Sequence, residues 1–178
     1  GSNTSELTLT TAGATNFENI IGTAGAETIK GDNNANVLTG KNGADTLYGY
    51  GGNDTLYADY AGSTSQTSAD VLYGGAGNDT LYGNDGDNTL DGGTGADTIT
   101  SYGGSDMIVL RSGDGGASQS NGDTVTDFTD GTDSLGLDSL AFGDLTIEQI
   151  GSDTVIKEGS NYLITLTGIT ASNITAID

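Results

Sequence analysis

A nine-residue period runs through most of this chain and constrains its fold more than any other feature. Counted from Gly22, four units read GTAGAETIK, GDNNANVLT, GKNGADTLY and GYGGNDTLY. From Gly74 the period resumes as GGAGNDTLY, GNDGDNTLD, GGTGADTIT and SYGGSDMIV. The sixth place is Asp, Asn or Glu, the eighth is Leu or Ile, and glycine concentrates at places one, two and four. A unit this short buries its apolar residue only against neighbouring units, so the period predicts a solenoid.

The unit at 74–82, GGAGNDTLY, shows how each repeat is expected to fold. Its glycines tolerate positive φ, which favours a sharp turn over the first six residues. Its last three residues form a minimal strand, in which Leu81 points inward while Thr80 and Tyr82 point outward. Two units then make one coil, and successive coils stack about 4.8 Å apart. The predicted fold is therefore all-β, a parallel β-roll with two nonapeptides per coil.

Stacking at this spacing places carboxylates above one another along both edges of the roll. One edge carries Glu27, Asp45, Asp70, Asn88 and Asp106, and the other carries Asn36, Asp54, Asp79, Asp97 and Asp123. Carboxylates this close repel unless a cation lies between them. One carboxylate from each turn, with several backbone carbonyls, gives the oxygen shell that Ca²⁺ prefers, whereas Mg²⁺ is smaller and retains its water. The sequence predicts about five to seven calcium ions between the turns.

All ten of these residues are candidate calcium ligands, with their neighbouring glycines. The expected carbonyl donors are Gly49, Gly51, Gly74, Gly75, Gly77, Gly92, Gly93, Gly95 and Gly104. The pairs Asp54/Asp79 and Asp79/Asp97 match the pattern best. Pairs that contain Asn36 or Asn88 lack one charge, and amide hydrogen bonds are the alternative there. Glu27 is longer than Asp and fits the turn less well.

Composition excludes several classes of function. The chain contains no cysteine and no histidine, which removes thiolate and imidazole metal sites and Ser–His–Asp or Cys–His catalysis. Its net charge is −21 with only four basic residues, so neither nucleic acid nor an anionic membrane is an expected partner. No apolar run is long enough to insert into a bilayer. A soluble monomer is expected.

The chain divides into three predicted parts. Residues 1–21 comprise Gly1-Ser2, which resembles a cloning scar, and a capping segment with strand-like alternation at Leu7 and Leu9. Residues 22–126 are the repeat body, in which two insertions, at 58–73 with a Ser/Thr-rich loop and at 110–126, are expected to form edge loops. Residues 127–178 lose the period and gain apolar strands, so they are expected to cap the open apolar end of the solenoid.

These units resemble the RTX nonapeptide GGxGxDxUx, in which U is a large apolar residue, and the unit at 74–82 fits it at every place. The segments 16–40 and 121–135 resemble the flanks of RTX blocks in large bacterial adhesins. The resemblance implies a calcium-binding β-roll in the C-terminal region of a secreted or cell-surface adhesin. It further implies a type I secretion signal within 127–178 and folding outside the cell, where calcium is abundant.

Two other functions remain open at this stage. Paired carboxylates can hydrolyse glycosides, but here the place-six residues are better explained as ligands, leaving only Asp144 and Glu148 outside the register. No catalytic residue is therefore assigned. Alternatively, Tyr48 over Tyr73 and Tyr57 over Tyr82, with rows of threonine beside them, favour a carbohydrate-binding surface. Ordinary strand propensity accounts for the same residues.

Overall fold

The structure, a computed structural model, describes residues 5–7, 18–60 and 66–175. Its strands are numbered β1 to β16 in chain order and form two sheets. The first sheet contains, in spatial order, β1 (Ser5–Leu7), β3 (Glu27–Lys30), β5 (Thr46–Gly51), β7 (Val71–Ala76), β9 (Thr89–Thr94), β11 (Met107–Arg111) and β13 (Ser134–Asp138). The second contains β14 (Leu145–Ile150), β15 (Asp153–Glu158), β16 (Asn161–Leu166), β12 (Asp123–Val125), β10 (Thr98–Thr100), β8 (Thr80–Tyr82), β6 (Thr55–Tyr57), β4 (Val37–Thr39) and β2 (Asn19–Ile21).

Successive strands of the repeat body alternate between the two sheets, so the chain winds as a flattened coil. Within the repeat body the neighbouring strands of each sheet are parallel and keep the repeat in register, with Thr55 opposite Thr80 and Thr80 opposite Thr98. The insertion that includes residues 61–65 does not disturb this register, because Thr46 still pairs with Val71. The predicted all-β parallel β-roll is confirmed.

The core is a column of place-eight residues enclosed between the sheets. Ten of them are fully buried: Ile29, Leu38, Leu47, Leu56, Leu72, Leu81, Leu90, Ile99, Ile108 and Val125. The residues on either side of Leu81 in β8 are only half-buried, as strand alternation requires. Each buried Leu or Ile contributes about 1.5–3 kcal/mol relative to exposure. The column is only one side chain wide, so the turns decide much of the stability.

Close approach between coils explains why the turns contain so much glycine. Gly77 has a φ of 139°, and a Cβ built on it would lie 1.7 Å from the carbonyl oxygen of Gly52 one coil away. Any side chain there would push the coils apart. Place two accepts side chains at a conformational cost, because Lys41, Tyr50 and Tyr102 all have positive φ.

The C-terminal part covers the end of the stack, as the fold prediction requires. Strand β16 pairs in parallel with β12, and β14, β15 and β16 then form an antiparallel meander. The parallel stack also extends beyond residue 126, because β13 pairs with β11 along its whole length. The three-part division stays a prediction, although the roll's own strand pairing reaches Asp138. Of the N-terminal strand prediction, Leu7 lies in β1, whereas Leu9 falls outside the described residues.

None of the helices in the described ranges has the length and apolar character needed to cross a membrane. The helical elements among the residues that the structure describes are three short 3₁₀ turns at Gln119–Asn121, Phe142–Asp144 and Ala171–Asn173.

Candidate metal centre

The place-six residues form two ladders, one along each edge of the roll. The first edge consists of the turns that lead from the second sheet to the first, and the second edge of the turns that lead back. Along the second edge the backbone N–H of Asp54 donates to Asp79 Oδ1 at 2.7 Å, and that of Asp79 donates to Asp97 Oδ1 at 2.7 Å. On the first edge Asp45 donates to Asp70 Oδ1 at 2.6 Å. One oxygen of each stacked carboxylate therefore joins adjacent coils, a structural role that the sequence analysis did not anticipate.

The second carboxylate oxygen has no such partner in five of these residues. The Oδ2 atoms concerned are buried without a hydrogen-bond partner among the described residues, and they belong to Asp45, Asp54, Asp79, Asp97 and Asp106. Each of these residues is at most 2 % exposed. A buried anionic oxygen without a donor is costly, so the arrangement requires a cation or a proton.

Four of these oxygens, those of Asp45, Asp54, Asp79 and Asp97, border a cradle beside a place-one glycine, whereas the turn before Asp106 begins with Ser101. A Cβ built on Gly74 would lie 2.5 Å from Asp79 Oδ2 and 2.5 Å from the carbonyl oxygen of Gly92 in the next coil. At Gly49 the matching distances to Asp54 Oδ2 and the Gly74 carbonyl oxygen are both 2.4 Å. A carboxylate oxygen from one turn and a carbonyl oxygen from the next thus face one small space that only glycine leaves open.

The donor chemistry of the cradles fits calcium. Ca²⁺ takes six to eight oxygens at about 2.3–2.6 Å and accepts backbone carbonyls readily. No group of three or more Asp or Glu side chains converges on a metal-sized site within the described residues. A cation in the cradles would therefore take most of its ligands from turn carbonyls, with a carboxylate supplying the charge.

Burial also perturbs the ionisation of the ladder. It raises the pKa of Asp45 and Asp70 to about 7, and that of Asp54 and Asp106 to about 6. Burial, followed by repulsion between the two carboxylates, raises the pKa of Asp123 beside Asp97. Without a cation these side chains hold protons far more readily than an exposed Asp does.

The family model for the RTX calcium-binding nonapeptide repeat (4 copies) matches residues 21–56, 66–99 and 82–116, which carry both ladders. The chain therefore contains RTX calcium-binding repeats over these residues. It is thus a calcium-binding β-roll module, and RTX repeats are typical of secreted bacterial proteins.

A similar solved structure is the solution structure of the AlgE6R3 subunit from the Azotobacter vinelandii mannuronan C5-epimerase. It is 26 % identical over 85 % of this chain and 76 % of that chain, with a TM-score of 0.28. A superposition at that score carries no argument about this fold. No curated protein is similar enough to the chain to count as a match.

One turn of the RTX roll is closed by amides. Asn88 Nδ2 donates to the carbonyl oxygen of Gly86 at 2.6 Å, and Asn84 Nδ2 donates to Asp70 Oδ2 at 2.7 Å. Asn84 Oδ1 in turn accepts the backbone N–H of Gly86 at 2.7 Å. These buried donors satisfy oxygens that elsewhere lack a partner, which explains why Asp70 Oδ2 is not orphaned. We call Asn84 and Asn88 the amide clasp. The sequence analysis missed Asn84, although an Asn at place two, where the RTX nonapeptide has glycine, was the available signal.

The first coil of the roll folds its place-six side chains back onto their own turns. The carboxylate of Glu27 accepts the backbone N–H of Thr23 at 3.0 Å and also the Thr23 hydroxyl. Asn36 Oδ1 accepts the backbone N–H of Asp32 at 2.7 Å. The structure places both residues on the ladders as expected, and their roles as calcium ligands stay predictions.

The predicted carbonyl donors fall into two groups. Gly49, Gly74 and Gly92 border the cradles directly. A second group has positive φ and lies against the neighbouring coil: Gly75, Gly77, Gly93, Gly95 and Gly104. Gly51 fits least tightly, since a Cβ there would come no closer than 3.5 Å, to Asn33.

The ladder of the first edge also extends further than the repeats indicate. The backbone N–H of Asp106 donates to Asp133 Oδ1 at 3.1 Å, and Asp133 Oδ2 accepts the Thr129 N–H at 2.7 Å. The sequence signal for this additional ladder residue was Asp133-Ser134-Leu135, whose residues match the sixth to eighth places of a repeat unit after a longer turn. Asp59, in the first insertion, is a further buried carboxylate whose Oδ2 has no partner among the described residues.

Proposed function

We propose that calcium binding folds this module, so that it is unfolded where calcium is scarce and folded outside the cell. The observation that carries the proposal is the set of five buried Oδ2 atoms without a partner among the described residues, four of which border glycine cradles. In a metal-free roll each oxygen is either charged and unpaired or protonated at a raised pKa. Calcium binds the assembled cradle and not the extended chain, so its binding energy becomes folding energy.

The global composition supports the same coupling. A net charge of −21 on 178 residues opposes collapse, and only 33 % of the residues are hydrophobic. Because the core is only one side chain wide, its burial alone gives the folded state a small free energy of unfolding. Neutralisation of the ladders removes repulsion along both edges at once, which favours a cooperative transition.

The structure ranks the proposed ion positions. The second edge is the most regular. Three of its residues have both a buried Oδ2 without a hydrogen-bond partner among the described residues and a place-one glycine beside that oxygen: Asp54, Asp79 and Asp97. On the first edge Asp45 and Asp106 offer the same oxygen. The amide clasp reduces the need for an ion next to Asp70. Five orphaned ladder oxygens agree with the lower part of the expected range of about five to seven ions.

We further propose that the module supports type I secretion as the C-terminal export region of an adhesin-like bacterial protein. An unfolded, strongly acidic chain can pass through a narrow channel, and calcium-driven folding at the exit opposes its return. The proposal is supported by the family, by the calcium coupling argued above and by the flanking segments that resemble adhesin blocks. We assign no catalytic role, since the off-register Glu148 is held in an ion pair with Lys157 at 2.7 Å.

Export from cells that express a type I apparatus tests this function. The chain is compared with an Asp79→Ala, Asp97→Ala double variant in media of low and high calcium. The exposed pair Glu18→Ala, Asp85→Ala, which leaves the ladders and residues 127–178 unchanged, is the matched acidic control. We expect the double variant to be exported several-fold less than the control in high calcium, and to the same extent as the control in low calcium. Equal export of all three chains at high calcium would contradict the proposal.

A further inference from the structure

The outer face of the first sheet contains a groove that the calcium ladders do not use. Its volume is about 330 Å³. One wall is formed by Tyr48, Tyr50 and Tyr73, and the floor by Gly75 and Gly93. The opposite wall is formed by Asp91, Arg111 and Asp114. A mixed aromatic and polar lining at this volume is typical of small-molecule sites.

The aromatic wall is ordered by stacking. The rings of Tyr48 and Tyr73 lie 4.9 Å apart at an angle of 9°, and those of Tyr48 and Tyr50 lie 5.9 Å apart at 19°. Tyr50 is 48 % exposed and has a φ of 74°. In the next two coils its place is taken by Gly75 and Gly93. The chain thus accepts an unfavourable left-handed backbone at a tyrosine, which holds a third ring at the groove.

The floor remains open because the packing of the coils excludes side chains there. A Cβ on Gly75 would lie 2.2 Å from the Tyr50 carbonyl oxygen, and one on Gly93 would lie 2.1 Å from that of Gly75. The groove is therefore a fixed property of the folded roll, and a ligand would meet a preformed surface.

The polar wall lies in the coil that follows the stacked tyrosines. Asp91 occupies the strand position opposite Tyr73, so the tyrosine row ends there. The guanidinium of Arg111 donates to both carboxylate oxygens of Asp91, from Nη1 to Oδ1 at 2.7 Å and from Nη2 to Oδ2. Its Nε donates to Asp138 Oδ2 at 3.0 Å. The backbone N–H of Arg111 donates to Asp114 Oδ2 at 2.9 Å. These contacts hold planar donors and acceptors rigidly beside the rings.

We propose that this groove binds a neutral saccharide. A pyranose ring has an apolar C–H face that stacks on aromatic rings, and its neighbouring hydroxyls pair with planar carboxylate and guanidinium groups. The volume holds about one or two sugar rings, at the small end of ligand sites. The net charge of −21 disfavours polyanionic sugars, and Arg111 already occupies the position that a cationic ligand would take. This inference goes beyond the proposed function and requires only that the roll is folded.

The test is an NMR titration of the calcium-saturated chain with cellobiose, maltose, lactose and chitobiose, and with a diuronate as the anionic comparison. We expect at least one neutral disaccharide to shift the amides of Gly75, Gly93 and Thr94, and the diuronate to leave them unchanged. Tyr73→Ala should weaken that binding at least tenfold. Tyr82→Ala is the matched control, because Tyr82 stacks on Tyr57 at the same 4.9 Å on the other sheet; its binding should be unchanged.

Tyr50→Gly provides a second variant, which introduces the glycine found at this place in the next two coils and removes one ring without a core change. It should weaken binding several-fold while the calcium-bound fold is retained. The absence of shifts with all four neutral sugars, equal binding of the diuronate, or equal loss in Tyr82→Ala would overturn the proposal. None of these results bears on calcium-coupled folding, which circular dichroism reports in the same samples.

Discussion

The backbone N–H of Asp79 donates to Oδ1 of Asp97, 2.7 Å away in the next coil, while Oδ2 of Asp97 is buried with no partner among the described residues. The two oxygens of one carboxylate therefore have different roles. Oδ1 fixes the spacing of the coils, and Oδ2 faces the glycine cradle, where a cation is needed. Substitutions that change one of the two carboxylate oxygens and keep the other can test these two roles.

Asp97→Asn retains an acceptor for the Asp79 N–H but replaces Oδ2 with an amide donor. We expect the calcium midpoint for folding to rise several-fold, because the variant loses a charge-assisted contact of about 1.5–3 kcal/mol and this loss is shared among the ions that bind in one transition. The metal-free variant should contain more β structure than the parent, since its amide can bond to turn carbonyls as Asn88 does. Circular dichroism at several calcium concentrations measures both effects.

Asn88→Asp is the reciprocal substitution and breaks the amide clasp. It should make the first edge more dependent on calcium and lower the β content of the metal-free chain. If both substitutions shift the calcium midpoint in the same direction and by similar amounts, the distinction between the two kinds of turn is wrong.

Gly74→Ala tests the cradle itself. The added Cβ would lie 2.5 Å from both Asp79 Oδ2 and the Gly92 carbonyl oxygen, so it fills the space proposed for the ion. We expect the loss of about one bound calcium and a lower melting temperature in calcium. Calorimetric counting of bound ions measures the first effect. Gly143→Ala is the control, because nothing lies within 4 Å of its added Cβ; an unchanged ion count in Gly74→Ala would contradict the cradle.

Acid should stabilise the metal-free roll. The folded pKa values of Asp45 and Asp70 are raised to about 7, above the value near 3.9 of an unfolded chain. The folded state therefore binds more protons, and its stability is fully present below about pH 4 and is lost as the pH rises through about 7. In chelator, β structure should increase between pH 8 and pH 5. The calcium concentration at the midpoint of folding should rise as the pH falls from 8 to 5, because protons compete with calcium for the ladder carboxylates. Metal-free β content that falls on acidification would refute this linkage.

The repeat register was enough to predict the parallel roll, the buried column and the edge on which each place-six residue lies. It succeeded because a fixed period determines both strand alternation and stacking. The carboxylates have two roles because one oxygen accepts a hydrogen bond from the neighbouring coil and the other faces the cradle. The repeat spacing alone does not specify which oxygen takes which role. The rung at Asp133 was missed because its turn is longer than the period, and the groove beside Arg111 arises from a contact between coils 20 residues apart.

The most direct test of calcium-coupled folding is a far-UV circular dichroism titration of chelator-treated protein at pH 7.5 with calcium, and with magnesium as the control. The account predicts a disordered spectrum in chelator and a cooperative transition to β structure at about 10⁻⁴–10⁻³ M calcium. Magnesium at the same concentrations should leave the disordered spectrum unchanged. A β-rich spectrum already present in chelator at this pH would contradict the claim that calcium at the Asp ladders folds the chain.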